Sequence, residues 1–331
     1  MTEVKSGPGL QKAEGSRLVA VMRRDAARAE DYARRHGVPR WYADADALIG
    51  DPEVDVVYVA TPPATHLEYA LRVCAAGKPA YVEKPMARSA VECDRMVKAF
   101  VGARLPLFVA YYRRALPRFL KAKSLLAEGS LGRLTGVSYH YAEPGHLTLG
   151  TGSLPWRLEA AAAGGGLFLD LGSHTLDLLD FLFGPLAQVA GAAANLASSY
   201  EVEDTVGLSF VTKSGVPGVA AWNFASGVRE DAIRITGTKG RLTLSTFGNE
   251  PLRLETAAGA NEFNLPNPPH VQQPLIQMIV DELRGKGRSP STGRTARRTS
   301  RVIDKVLKAY YGGRNDDFWN RSATWPGRRR V

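Results

Sequence analysis

The first third of the chain alternates short apolar runs with amphipathic stretches. Residues 18–22 (LVAVM) suit a buried parallel strand, and residues 26–36 follow with helical spacing. A loop with Trp41 and Tyr42 leads into a short helix over 43–49. Residues 55–61 (DVVYVAT) predict the next strand, which Pro62 and Pro63 stop. Residues 67–76 predict a helix ended by Gly77, and 80–83 (AYVE) a strand closed by Pro85. A helix over 89–103 and a strand over 107–111 complete the series. Strands alternating with helices of this length imply a parallel sheet built from right-handed crossovers.

After Arg113 the pattern changes. A helix over 117–128 and a strand over 134–141 precede a long loop through His146, Gly152, Trp156 and Arg157. The glycine run 164–166 opens an apolar helix over 167–183 that ends at Gly184 and Pro185. Runs with strand chemistry then recur at 189–195, 205–211, 219–224, 232–236, 242–245 and 252–256, separated by turn residues. That spacing suits a largely antiparallel sheet. Two helices, over 271–284 and 294–311, lead to a polar tail containing tryptophan.

Composition adds bounds rather than identity. A chain of 331 residues with 44% hydrophobic and 23% charged content can bury sizeable cores, and its length favours two domains. Cys74 and Cys93 have no CxxC or paired-ligand spacing, so neither a disulfide framework nor a zinc site is indicated and a reducing compartment fits. The first residues lack the apolar core of a secretory signal, and no window is long enough to span a bilayer; a soluble, cytoplasmic protein is expected. The net charge of +10 is spread along the chain, with mild concentration at 23–40, 284–308 and 328–330 and no nucleic-acid motif. Solvated helix faces account for it, and attraction for anionic cofactors and substrates is the milder alternative. Neither nucleic acid nor a membrane is expected as a partner.

Two constellations carry chemistry. The strand over 55–61 delivers Thr61, Pro62 and, a turn later, His66 to the carboxyl edge of the parallel sheet, and the strand over 80–83 delivers Glu83 and Lys84 to the same edge. In doubly wound sheets that edge binds ligands. A lysine on a proline-stiffened turn can bind a carbonyl or hydroxyl oxygen; the bland alternative is a strand-end ion pair between Glu83 and Lys84. In GGGLFLDLGSHTLDLLDFLFG, Asp170 and His174 are spaced i,i+4 on one helix face, with Asp177 a turn further on. An aspartate beside a histidine orients the imidazole and raises its basicity, as proton transfer near neutral pH requires. A metal site of Asp170, His174 and Asp177 lacks a second cluster of histidine or cysteine to support it. A helix N-terminal aspartate with a satisfied, half-buried histidine is the alternative without chemistry.

The stretch VYVATPPATHLEYALRVCAAGKPAYVEKPMARSAVECDRMV resembles the signature of the Gfo/Idh/MocA oxidoreductases, and GGGLFLDLGSHTLDLLDFLFG resembles their second signature. RLTGVSYHY, WRLE at 156–159, ITGTKGRLTLS and the final helix are also similar to that family, so the likeness spans nearly the whole chain. WRLE before the glycine run is similar to the branch with 1,5-anhydrofructose reductase and dihydrodiol dehydrogenase. The resemblance implies an α/β Rossmann-like parallel-sheet domain over 1–112, binding NAD(P), and an α+β domain with a largely antiparallel open sheet over 113–331 for substrate and subunit pairing in a homo-oligomer. It implies that Lys84 polarises the substrate, that Asp170 and His174 bind it and relay the proton, and that His174 is the acid/base. Thr61, Pro62, His66, Glu83 and Lys84 then line the nicotinamide-ribose end of the cofactor, reached from the second domain by Trp156 and Arg157. Tyr112 and Arg113 fall at the substrate, where many relatives carry an asparagine-containing segment; the rings of Tyr111 and Tyr112 either stack on a sugar or aromatic diol or pack between domains.

The end of the strand over 18–22 bears on cofactor choice. NAD-preferring sheets place an acid there for the ribose hydroxyls, whereas this chain has Arg23 and Arg24, which can hold a 2′-phosphate. NADP(H) is therefore expected, with NAD(H) left open because Asp25 follows at once. The family's opening strand and GxGxxG turn are missing from the sequence as it stands: Gly7 and Gly9 follow no strand. The expectation is that Met1 falls inside a longer natural protein and that this polypeptide alone folds poorly. The activity expected is an NADP(H)-dependent oxidoreductase acting on a sugar, anhydro-sugar, cyclitol or related diol or ketone. The alternatives are a non-catalytic sugar- or dinucleotide-binding protein on the same fold and an NAD-dependent glycosidase.

Overall fold

The computed structural model describes residues 2–144 and 154–328, so His146 and Gly152 of the expected loop lie outside the described residues. After a π-helical turn over Thr2–Ser6 and helix α1 (Gly7–Lys12), the chain forms β1 (Ala20–Met22), α2 (Ala26–His36), β2 (Arg40–Tyr42) and α3 (Ala45–Gly50). It continues through β3 (Val57–Val59), α4 (His66–Ala75), β4 (Ala80–Val82), α5 (Ala90–Gly102) and β5 (Leu107–Val109). Every strand pairing here is parallel. Strands β4 and β5 are buried along their whole length, as expected of parallel strands covered on both faces.

Local chemistry sets the helix ends. Asp25 caps α2 by accepting the Arg28 N–H at 3.1 Å, and Gly37 ends it in the left-handed conformation at φ 63°. Ser89 caps α5 in the same way, through the Glu92 N–H. One expectation needs correction: residues 40–42, taken as loop, are a strand, because Arg40, Trp41 and Tyr42 pair in register with Ala20, Val21 and Met22. The order comes in two pieces, β2-β1 and β3-β4-β5, with no described strand joining β1 to β3.

Beyond β5 come α6 (Pro117–Ala127), β6 (Leu134–Pro144), α7 (Ala160–Ala163) and α8 (Ser173–Phe183). Then β7 (Ala187–Ala194), β8 (Thr205–Val211), β9 (Pro217–Ser226), β10 (Glu230–Gly237), β11 (Gly240–Leu244), β12 (Leu252–Thr256) and β13 (Gly259–Phe263) complete an eight-stranded sheet with β6. Its order is β13-β12-β11-β10-β6-β9-β8-β7, antiparallel except where β6 meets β9. Alternation fixes its faces: Val206, Leu208, Phe210, Trp222, Phe224, Ile233 and Ile235 are buried in the core, while Val219, on the opposite face, is 56% exposed.

Helices α9 (Gln273–Leu283) and α10 (Gly293–Tyr311) return the chain to the parallel sheet. Ser291 Oγ donates to the Val109 carbonyl at 2.6 Å, just before the Thr292 capping box that starts α10. The N-terminal segment packs on α9, so closely that a Cβ on Gly9 would lie 2.8 Å from Ile276 Cδ1. Among the described residues no helix is long and apolar enough to cross a membrane.

Candidate active site

The carboxyl ends of β3 and β4 place two groups side by side and then send them different ways. Glu83 accepts hydrogen bonds from Tyr58 Oη at 2.5 Å, from Gln272 Nε2 at 2.7 Å and from the Lys84 backbone N–H at 3.0 Å. Gln272, fully buried just before α9, also accepts from Tyr81 Oη at 3.0 Å. The Glu83 carboxylate is thus consumed in fixing the turn, and it is not the ion-pair partner of the Lys84 ammonium.

That ammonium crosses instead to Asp170, contacting its carboxylate and donating to its backbone carbonyl at 3.0 Å. The glycine run makes the approach possible. Gly164 sits at φ 88°, and a Cβ there would lie 2.6 Å from the Arg88 carbonyl oxygen, so only glycine lets this segment pass so close to the chain that follows Lys84. Phe168–Gly172 then forms a π-helical turn leading into α8, where a Cβ on Gly172 would lie 2.3 Å from the Phe168 ring. Arg157 Nε donates to the other Asp170 oxygen at 3.0 Å, and its guanidinium stands 4.5 Å from the Trp156 ring centroid. Burial alone would push the Asp170 carboxyl up, but Lys84 and Arg157 outweigh it and hold the group below its ordinary value of 3.8.

His174 departs from the sequence expectation. Asp170 does not orient it, because both carboxylate oxygens serve Lys84 and Arg157. Asp177, a turn along α8, goes to Arg114. The imidazole is 4% exposed, and Nδ1 has no partner among the described residues. Aromatic rings stand edge-on to it: Tyr112 at 5.4 Å, Tyr111 at 6.0 Å and Phe247 at 6.0 Å between centroids. Burial pushes its basicity well below the ordinary 6.5, and the charges of Arg113, Lys84 and Lys5 act in the same direction. The expected rise in basicity is therefore reversed. Tyr111 and Tyr112 are buried, 1% and 7% exposed, with their rings edge-on to His174.

His66 also differs. It is fully buried, with Nε2 2.7 Å from the Thr61 carbonyl and Nδ1 3.1 and 3.3 Å from the carbonyls of Pro85 and Met86. It therefore ties the turn after β3 to the turn after β4 and offers no free atom to a ligand. Burial lowers its basicity, its carbonyl contacts opposing only in part. His174 sets a stability prediction. It stays neutral in the folded chain below pH 6.5, where an unfolded imidazole takes up a proton, so stability is lost as pH falls through 6.5. The slope approaches about 1.4 kcal/mol per pH unit for that ring. Urea unfolding of wild type and His174→Gln at pH 7.5 and 5.5 measures it, and an equal pH dependence in the two would show that the ring titrates normally in place.

A model described as the oxidoreductase family with an NAD-binding Rossmann fold matches residues 1–111, and one for the Gfo/Idh/MocA C-terminal domain matches 119–243. The chain belongs to the Gfo/Idh/MocA oxidoreductases. Relatives in the family include oxidoreductase P35 of Formosa agariphila, 34% identical over 92% of this chain and 94% of that protein. The trans-1,2-dihydrobenzene-1,2-diol dehydrogenase of Oryctolagus cuniculus is 35% identical over 67% of this chain and 65% of its own length. The 1,5-anhydro-D-fructose reductase of Ensifer adhaerens is 30% identical over 86% of each. Among solved structures, the aldose-aldose oxidoreductase of Caulobacter crescentus complexed with glycerol superposes with a TM-score of 0.81 at 26% identity, covering 91% of this chain and 92% of that one.

In this Gfo/Idh/MocA chain the cofactor-side residues fit an anionic dinucleotide. Arg23 and Arg24 are exposed directly after β1, with no ion-pair partner among the described residues, whereas Asp25 is occupied as the cap of α2. Thr61 is half-buried and Pro62 exposed at the end of β3. Trp156 is 37% exposed. Sequence reasoning missed Gln272 and Lys5, neither of which carries a local motif.

Proposed function

We propose that the chain is an NADP(H)-dependent oxidoreductase acting on a sugar, anhydro-sugar, cyclitol or related diol or ketone. One observation carries the reading: Lys84, at the carboxyl edge of the parallel sheet, is held by Asp170 while its charge reaches the buried, neutral His174. A bound nicotinamide would supply or accept the hydride. Lys84 binds the reacting oxygen and stabilises the negative charge that develops there. Asp170, doubly held by Lys84 and Arg157, keeps the ammonium in place and receives a substrate hydroxyl. His174, neutral at physiological pH, is poised to take the hydroxyl proton in the oxidation direction. Thr61, Pro62, Glu83, Trp156 and Arg157 border the nicotinamide end, and His66 supports them through the turn. Arg113 and Tyr112 stand on the substrate side. The relatives named for a dihydrodiol, an anhydro-sugar and aldoses support the substrate class.

NADP(H) preference rests on Arg23 and Arg24, without an ion-pair partner among the described residues, together with the occupied Asp25. Fluorescence titration of wild type and the Arg23→Ala/Arg24→Ala variant tests it. NADPH affinity should fall by about 10–100-fold, the worth of a charge-assisted phosphate contact, with a much smaller change for NADH. Equal losses for the two would refute the preference. The proposal extends to a homo-oligomer formed through the open face of the eight-stranded sheet, where Gly207, Ser209 and Val219 are exposed.

A further inference from the structure

Arg113 is a buried cation that the fold leaves incompletely matched. Its side chain follows β5 into the core at 7% exposure and, among the described residues, makes one hydrogen bond, from Nε to the Thr246 carbonyl at 2.9 Å. Nη1 is buried without a partner, and no carboxylate pairs with the guanidinium among the described residues. Buried Arg118 likewise has no carboxylate partner among the described residues, but it donates to the carbonyls of Gly248 and Glu250 and to Ser245 Oγ, and the other two buried arginines are paired. Arg114 is bidentate on Asp177, and Arg314 holds Asp304 and two backbone carbonyls. Asp231 of β10, which holds the loop that Arg113 reaches, is already committed to the N–H groups of Thr246, Phe247 and Gly248 and to Tyr139 Oη.

The guanidinium and the imidazole of His174 share a wall. Arg113 lies 5.1 Å from the Tyr112 ring and 4.5 Å from Phe247, the two rings that also flank His174. His174 Nδ1 is also buried here without a partner among the described residues. Of the charged groups that reach His174, Arg113, Lys84 and Lys5 are all cationic. A buried charge is costly unless an opposite charge meets it, and a planar guanidinium with open N–H groups matches a carboxylate best.

We propose that the substrate carries a carboxylate and that Arg113 receives it, so the molecule acted on is a sugar acid of the hexuronate or aldonate class. This rests on Lys84 and His174 marking the reaction centre. The acid group then neutralises the excess positive charge beside His174 while the hydroxyl that reacts lies against Lys84.

The test compares matched pairs, D-glucuronate with D-glucose, D-galacturonate with D-galactose and D-gluconate with sorbitol. Each is titrated calorimetrically onto the full chain with NADPH present and assayed for turnover with NADP+. At least one acid should bind about 10–100-fold more tightly than its neutral partner, the worth of one charge-assisted contact. Arg113→Met should erase that ratio and Arg113→Lys restore part of it. Three results overturn the proposal: no acid favoured in the wild type, a preference that survives Arg113→Met, or an Arg113→Met variant weakened for NADPH alone with the sugar ratios unchanged, which would assign the anion to the dinucleotide. Should the acid bind with Arg113-dependent preference while no pair is oxidised, the anion site stands and the oxidoreductase reading falls.

Discussion

Lys84→Met should lower kcat by about a thousandfold, because it removes the ammonium proposed to bind the reacting oxygen while keeping the unbranched stem. Lys84 is 7% exposed, so the methionine side chain fits the same slot without bringing water in. Asp170 keeps Arg157 as a counterion, and the Glu83 contacts to Tyr58 and Gln272 are untouched. The loss should therefore fall on kcat more than on folding. Steady-state assays with NADPH, run beside a thermal melt, measure both; turnover within tenfold of wild type would remove Lys84 from the chemistry. Asp170→Asn should cost less, since an amide oxygen can still accept from the ammonium.

How much of the fold the sequence shows depends on where the information is stored. The helix expected over 26–36 is Ala26–His36 in the structure because its signals, Asp25 before it and Gly37 after it, are local. The strands at Thr205–Val211 and Leu252–Thr256 match their expected ranges for a similar reason: alternation with turn residues on either side. Arg40–Tyr42 is a strand only because β1 lies beside it. Gly259–Phe263 is an edge strand with four exposed residues and no apolar pattern to announce it. Alternation tells which face of a strand is buried but not which neighbour it takes, so the parallel pairing of β6 with β9 was not legible.

The site divides along the same line. Lys84, Asp170 and Arg157 stand in compact motifs, and the structure joins them by hydrogen bonds. The i,i+4 spacing of Asp170 and His174 misled because it assumes a regular helix. The π-helical turn at Phe168–Gly172 interrupts that regularity, and the stronger cations of Lys84 and Arg157 claim the carboxylate. Gln272 stands 189 residues from the Glu83 it holds, a separation that no local pattern spans. Lys5 acts on His174 through space from the N-terminal turn.

Arg114→Met should destabilise the chain by about 3–5 kcal/mol, the cost of stripping a buried charge of its partner. Arg114 is 4% exposed; its Nε and Nη2 reach Asp177 at 2.7 and 2.8 Å, Nη2 reaches Asp180 at 2.9 Å, and Nη1 reaches the Pro290 carbonyl at 3.3 Å. Asp180 keeps Arg298, at 2.7 Å, when Arg114 is gone. Asp177, 1% exposed, keeps only the Thr299 hydroxyl at 3.4 Å among the described residues. Burial already pushes its carboxyl above the ordinary 3.8 with Arg114 in place, so the variant leaves either an unpaired anion or a carboxyl that must take up a proton to fold. Adding Asp177→Asn removes the charge that causes the penalty, and the double variant should be more stable than Arg114→Met alone. Urea unfolding of wild type, both single variants and the double variant forms the complete cycle. Additive losses would show that the two groups act independently and that this ion pair does not fasten α8, the helix carrying His174, to the turn after β5.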